Sequence, residues 1–267
     1  MEIEGILNTS EDITFDYQLR RSPSVRFPSH LHNAFELIFF IRGNVTYLIE
    51  DRKYELQKYD LVITRPAEHH YIRLNSSADY ERYDILIAQH HPLTRLLKEI
   101  SPDVEVINCR DSAVIIENFK RINSYREIFP KTVFLELLNS LLTEILYNLQ
   151  VLDDPPFAAR QSVSPLITRA LAYINEHLFT IQSISEISDA LFIAQNYFFR
   201  LFKDTLKISP KKYITNKRLL HAQNLIANGE RPTSVYLQCG FSNYVSFYKR
   251  YLGLFGYPPS AEHVHHG

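Results

Sequence analysis

Over the first ninety or so residues, apolar side chains recur at every second position, the alternation that turns one face of a strand toward a core. Ile13, Phe15, Tyr17 and Leu19 form one such set, Phe35, Leu37, Phe39 and Ile41 a second, and Tyr83, Ile85 and Ile87 a third. Turn-forming residues separate the sets at Gly43-Asn44, Glu50-Asp51 and Asn75-Ser76-Ser77. Several short strands punctuated in this way predict an all-β sandwich or barrel. From about Asp111 the period becomes helical. Leu135, Leu138, Leu142, Ile145, Leu149 and Leu152 follow alternating steps of three and four, an a/d seam too short to define a coiled coil by itself. The seam fits a dimer contact and a helix packed on its own barrel equally well.

The pattern breaks at residues 153–164, DDPPFAARQSVS. Pro155 and Pro156 each remove an amide donor and restrict the preceding residue, so no helix continues through them. Beyond Ser164 the chain reads as short helices. The expectation is an α+β chain of two domains. A barrel spans 1–110, a helical dimerisation or packing segment 111–152, a linker 153–164 and an all-α domain 165–267.

A length of 267 residues agrees with two units. The composition, 45% apolar and 22% charged, excludes a wholly disordered chain. With 29 basic and 30 acidic residues the formal charge is −1, which excludes a uniformly cationic nucleic-acid coat. That average hides a division. Residues 165–267 carry eleven Lys and Arg against six Asp and Glu, a net of +5, which leaves eighteen against twenty-four, or −6, for residues 1–164. No apolar run approaches 18 residues, and the acidic opening MEIEGILNTSEDITF is unlike a secretory signal. A cytoplasmic protein with no membrane partner is expected. Cys109 and Cys239 lack a C-x-x-C spacing and read as small core residues.

Within 165–267 a pattern occurs twice. Ile184, Ile187 and Leu191 mark one face of a short helix, Phe192-Ile193-Ala194 a corner, and Phe198, Leu201 and Phe202 one face of the next helix. About fifty residues later Val235 and Cys239 precede Gly240-Phe241-Ser242, followed by the apolar positions Phe247 and Tyr251. Gly240 suits a corner of positive φ and Ser242 an N-cap. These are the proportions of helix-turn-helix units, in which the second helix hides one side and leaves the other polar. Between them SPKKYITNKRLLHAQNLIANG predicts a helix of about twenty residues, ~30 Å long, close to the roughly 34 Å between successive major-groove faces. A helical bundle with merely solvated basic residues would show the same periodicity and charge.

The stretch ISEISDALFIAQNYFFRLFK, then Tyr213, Arg218, Ala222, Leu225 and Ile226, then Gly240-Phe241-Ser242, Phe247, Gly256 and Pro259-Ser260 together resemble the AraC/XylS-type DNA-binding domain over nearly all of 165–263. Several positions depart from that pattern. Tyr236 stands where a small residue is usual, Pro232 replaces an aliphatic residue, Lys249 an arginine and Leu252 a lysine, while Ala194 takes the place of a capping serine. The resemblance implies base-reading candidates Gln195, Asn196, Phe199 and Arg200 in the first unit and Tyr244, Val245, Ser246 and Lys249 in the second. Arg200 and Lys249 suit guanine edges, and Asn196 suits adenine. Lys203, Lys207 and Arg250 are phosphate candidates. The first unit is expected to dock more tightly and the second to tolerate more base changes.

In the front domain, His30-x-His32-x3-Glu36 places three potential ligands at one parity of an extended chain, and His70 follows four residues after Pro66. These segments resemble the two motifs of the cupin barrel, a double-stranded β-helix in which the four positions can hold a divalent metal. Ser24, Asp60 and Glu68 replace glycines of those motifs. In regulators of the AraC/XylS type such a barrel commonly senses a small organic molecule. The effector-binding candidates are therefore Arg26, His30, His32, Glu36, Tyr47 and His70, with His30, His32, Glu36 and His70 as the metal alternative and no cofactor assigned. His69, His90 and His91 are expected to face water.

The function so implied is a sequence-specific regulator of transcription. Its expected partners are double-stranded DNA, a polar effector such as a sugar, a second copy of the chain and, for an activator, RNA polymerase. The alternative is a cupin metalloenzyme, a dioxygenase or isomerase, with an accessory helical domain.

Overall fold

The computed structural model describes residues 8–9, 12–21, 27–152 and 161–262. Ser24, Arg26, linker residues 153–160 and the terminal HVHHG lie outside the described residues. The chain divides into two compact units, residues 1–161 and 162–267.

The first unit runs β1 (Asn8–Thr9), β2 (Ile13–Arg20), β3 (Ala34–Arg42), β4 (Val45–Ile49), β5 (Arg52–Glu55), β6 (Asp60–Thr64), β7 (His70–Leu74), β8 (Tyr80–Ala88), α1 (Thr94–Glu99), β9 (Val106–Asn108), α2 (Ala113–Ile128) and α3 (Lys131–Gln150). One antiparallel sheet has the order β1-β2-β8-β3-β6-β9, and the second carries β5, β4 and β7 in that order. The alternation seen in the sequence sets the first core. Ile13, Phe15, Phe35, Leu37, Phe39, Tyr83, Ile85 and Ile87 all face α2 and α3, where Ile115, Phe119, Ile122 and Phe134 meet them. Phe39 stacks on Phe119 with ring centroids 4.1 Å apart.

The opposite face of the same sheet is also buried. Ile38, Phe40 and Val62 pack against Tyr47, Ile49, Tyr54 and Ile72 of the second sheet. The large sheet is thus covered on both sides, by helices on one and by strands on the other, so its strand β6 is buried along its whole length.

The leucine seam of α3 closes the first core. Leu138, Leu142 and Ile145 are 0% exposed and pack in the same cluster as the sheet. Of the two readings of 111–152, packing is the one observed. Each fully buried aliphatic side chain of the seam contributes about 1.5–3 kcal/mol to its own domain, while Leu135 and Leu152 at its ends are partly buried. Cys109 and Cys239 are buried free thiols, as small core residues should be.

The second unit runs α4 (Pro165–Glu176), α5 (Ile184–Ala190), α6 (Gln195–Leu206), α7 (Pro210–Ala227), α8 (Pro232–Gln238) and α9 (Tyr244–Phe255). Ser183 and Glu186 form a capping box at the start of α5, and Ser209 caps α7 with Pro210 in its first turn. Helix α7 serves two cores. Tyr213 and Ile214 join α4, α5 and α6 around Ile174, Ile187, Phe198 and Phe202. Leu219, Ala222 and Ile226 join α8 and α9 around Val235, Cys239, Phe247 and Tyr251. Beyond α9, the buried Glu262 carboxylate accepts hydrogen bonds from Tyr251 and Tyr257 and fastens the end of the unit.

Candidate functional site

In each helix pair of the second unit the apolar stripe fixes which side chains point outward. On α6, Phe198, Phe202 and Leu206 are buried, which leaves Gln195, Asn196, Phe199, Arg200 and Lys203 exposed. On α9, Phe247 and Tyr251 are buried, which leaves Val245, Lys249 and Arg250 exposed and Ser246 half-buried. Tyr244 is also half-buried, its ring 5.7 Å from that of Tyr236. The bulky Tyr236 thus draws one candidate off the second face.

The two starts differ. Asn243, not Ser242, caps α9, its Oδ1 accepting from the Ser246 amide at 2.8 Å; Ser242 sits one residue too early for that amide. Ala194 opens α6 with no side-chain cap. In the first corner Phe192 has φ 57°.

Arg218 of α7 ties the pairs together. Its guanidinium donates to the carbonyls of Leu178 (2.7 Å), Ile181 (2.6 Å) and Gly240 (2.9 Å), joining the approach to α5 with the corner before α9. Gly240 has φ +74° and a Cβ there would lie 2.4 Å from the Phe179 carbonyl oxygen. No side chain fits.

Beside α9, a cleft lined by Ser209, Lys211, Lys212, Thr215, Asn216 and Arg250 gathers three cations. Lys211 and Lys212 were not among the sequence candidates. The signal was present, since two lysines directly after a Ser-Pro helix start occupy its exposed first turn.

In the first unit the structure brings together every described effector candidate. One ligand atom from each of His30, His32, Glu36 and His70 lies within 4.8 Å of the others. His30 and His70 are held by paired backbone hydrogen bonds of 3.1 and 3.0 Å. The His70 Nε2 lies 3.0 Å, and the His32 Nε2 3.8 Å, from Glu36 Oε2. Tyr47 is fully buried and its hydroxyl donates to Glu36 Oε2 at 3.0 Å, with Thr64 Oγ1 3.2 Å away. Tyr47 therefore orients Glu36 from behind. His30 is exposed, so the cluster opens to solvent on that side. His69, expected to face water, is 0% exposed; its ring packs beside Tyr71. His90 is exposed and pairs with Asp12, while His91 is half-buried.

The electrostatics follow from burial and from these neighbours. Burial raises the Glu36 carboxyl, but the charge of His70 and hydrogen bonds from His32 and His70 outweigh it and hold the group well below the usual carboxylate range. Burial lowers His70, and Glu36 more than reverses that. His30 is lowered, by burial first and by His70 next. Two groups missed in the sequence complete the interior: Arg82, 2.8 Å from Asp84, and Asp84 itself, pushed up to about 8 by burial, with Arg82 opposing and Glu36 adding. The alternation that faces Tyr83, Ile85 and Ile87 to the helices puts both on the opposite face of the sheet.

Comparison with known proteins bears on both halves. Residues 12–104 match the model of an AraC-like ligand binding domain, and residues 187–262 match that of a helix-turn-helix domain. The chain belongs to the AraC family of transcriptional regulators. That AraC family is one of regulators, not enzymes, and the metalloenzyme alternative ends there. The chain is 40% identical over 89 residues to the probable transcriptional regulator LumQ of Photobacterium leiognathi, a match spanning 33% of this chain and 36% of LumQ. It is 23% identical over 247 residues to the transcriptional activator RhaR of Salmonella arizonae, covering 85% and 84% of the two chains. Among solved structures, a variant of apo ToxT from Vibrio cholerae is 11% identical with a TM-score of 0.43, covering 95% of this chain and 97% of that one. An AraC-type regulator from Chromobacterium violaceum is 27% identical with a TM-score of 0.35, covering 38% and 90%. Among the described residues of this AraC-family chain, no helix is long and apolar enough to cross a membrane.

Proposed function

We propose that this regulator reads a specific duplex sequence with α6 and α9, and that a small effector bound at the barrel histidines changes its affinity for that sequence. The observation that carries the reading is the pair of helices with one apolar side sunk in a core and a polar, cationic side exposed, both held by α7. The 18 residues of α7 make it about 27 Å long, near the roughly 34 Å repeat of the major groove. Arg200 and Lys249 are assigned to guanine edges and Asn196 to adenine. Gln195, Phe199, Val245, Ser246 and Tyr244 complete the reading set, with the half-buried Tyr244 contributing least. Lys203, Lys207, Arg250, Lys211 and Lys212 are assigned to phosphates, which position without specifying.

His30, His32, Glu36, Tyr47 and His70 form the effector site, with Arg26 beside His30 in sequence. Coupling between effector and DNA is expected at about 1–3 kcal/mol, 5- to 150-fold in affinity. Activation is the outcome proposed, on the likeness to RhaR, which is named an activator, with contact to RNA polymerase as its route. Assembly as a homodimer is proposed through surfaces other than the buried α3 seam.

The test is selection of bound sequences from a random duplex pool by the full chain, followed by affinity measurements at several salt concentrations. A defined motif is expected, with a log–log salt slope of about −0.9 per neutralised phosphate. No enriched motif together with a flat salt response would overturn the reading.

A further inference from the structure

Helices α6 and α9 present different chemistry at matching positions. Each is anchored by a buried phenylalanine, Phe198 in α6 and Phe247 in α9. Counted from that anchor, the positions three and two before it and one, two and five after it share one side of the helix. In α6 they hold Gln195, Asn196, Phe199, Arg200 and Lys203, where Phe199 alone cannot hydrogen-bond. In α9 they hold Tyr244, Val245, Tyr248, Lys249 and Leu252, where Lys249 alone is charged and the rest are aliphatic or aromatic. Val245 is 63% exposed, Leu252 39% and Tyr248 37%. Because α9 has already sunk Phe247 and Tyr251 in its own core, this is a second apolar stripe, left in the open.

A helix that is apolar on most of its circumference is ordinarily covered. What covers this one carries negative charge, since Lys249 lies within the stripe and Lys211, Lys212 and Arg250 line the cleft beside it. Duplex DNA offers phosphates to those cations and, in the major groove, one apolar group to the stripe. Of the groups that base pairs display there, the thymine C5-methyl is the one that neither donates nor accepts a hydrogen bond. A valine or leucine side chain has no donor or acceptor of its own, so its favourable contact with a base edge is with that methyl. Tyr248 is braced for the same contact. Its ring centroid lies 6.3 Å from that of Tyr244, which lies 5.7 Å from that of Tyr236, and a ring held from behind has less rotamer freedom to lose on binding.

We propose that α9 recognises thymines by their methyl groups, with Val245 and Tyr248 as the contacting side chains and Leu252 extending the apolar face along the helix. The half-site facing α9 is then defined by methyls, and the half-site facing α6 by hydrogen bonds, with Phe199 as its one apolar contact. This rests on the duplex-reading function proposed above and names the group that one of the two helices reads.

The test exploits uracil, which lacks the thymine methyl and keeps every hydrogen bond of the pair. The full chain selects its motif from a random duplex pool; each thymine of that motif is then replaced singly by uracil, and affinity is measured by fluorescence anisotropy at fixed salt. A loss of about fourfold per contacted methyl is expected, the worth of one apolar carbon group withdrawn from water, at thymines clustered in one half of the motif. In Val245→Ala and Tyr248→Ala those positions should accept uracil without further loss, while Tyr248→Phe, which keeps the ring, should behave as the parent does. Both side chains are exposed, so far-ultraviolet circular dichroism should not change. Arg200→Ala should leave the uracil losses in that half as they are. A motif in which uracil is tolerated throughout, or uracil losses that persist undiminished in both alanine variants, would overturn the assignment and leave the regulator reading standing. Absence of any enriched motif fails the regulator reading itself, and the assignment with it.

Discussion

Replacing Gly240 by alanine tests whether the two helix pairs are held as one body. The added Cβ would lie 2.4 Å from the Phe179 carbonyl oxygen and 3.0 Å from the Arg218 guanidinium carbon, at a φ of +74°. A non-glycine residue in that region costs about 1–3 kcal/mol. The overlap is with backbone, so the corner and the Phe179 segment must separate, which breaks the 2.9 Å bond from Arg218 to the Gly240 carbonyl, worth about 1.5–3 kcal/mol as a bond to a charged group. Together the expected loss is about 2.5–6 kcal/mol, a large part of the 5–15 kcal/mol of an ordinary domain. Urea unfolding followed by circular dichroism measures it, and amide exchange in peptides covering 178–182 and 236–243 locates it. Gly253 is the control: it lies in α9 with open space around a would-be Cβ, so Gly253→Ala should stabilise by up to about 1 kcal/mol. A Gly240→Ala protein within about 1 kcal/mol of the parent, with unchanged exchange at both peptides, would refute the clamp.

Three further expectations concern separate parts of the molecule. Arg200→Ala should cost about 1–3 kcal/mol on the selected duplex and relax base choice at one position, whereas Lys211→Ala should weaken all duplexes alike and lower the salt slope by about one; equal losses on selected and random DNA for Arg200→Ala would remove it from the reading set. Leu142→Asp should unfold the first unit, at more than about 4 kcal/mol, because it buries a charge in a closed core; a folded variant that has lost only its dimer in sedimentation would contradict the packing. The Glu36–His70 pair should make stability of the chain depend on pH. The lowered Glu36 contributes stability present above the ordinary carboxylate value and lost as pH falls through its folded value. The raised His70 contributes stability present below about 6.5 and lost as pH rises through its folded value. Asp84, raised to about 8 when folded, contributes stability present below its ordinary value of 3.8 and lost progressively as pH rises toward 8. The difference between parent and Glu36→Gln should therefore peak between the ordinary carboxylate and histidine values; a difference constant with pH would count against the pair.

Which features were legible in the sequence follows from how much each depends on local pattern. The face formed by Phe35, Leu37, Phe39, Tyr83, Ile85 and Ile87 was legible because the pleat has period two, and the buried and exposed sides of α6 because helices have period 3.6. Three members of the histidine cluster, His30, His32 and Glu36, were legible because they share parity over a short span, whereas His70 was joined to them only by the resemblance to the cupin motifs. Arg82 and Asp84 were not, since a polar residue opposite an apolar one looks the same whether it meets water or the inside of a barrel. The α3 seam was undecidable alone, because a leucine stripe carries no record of whose core it enters. Asn243 and Ser242 are both competent caps one residue apart, and backbone geometry chose between them.

The edge-to-face packing of Tyr244 against Tyr236 has a consequence for the genome rather than for the protein. With Tyr244 and Ser246, two of its four proposed contact residues, half-buried, α9 is expected to discriminate fewer alternatives than α6. Across a collection of operators, the information content per base pair should be lopsided, high in the half facing α6 and low in the other, and drift in the weak half should be tolerated between related promoters.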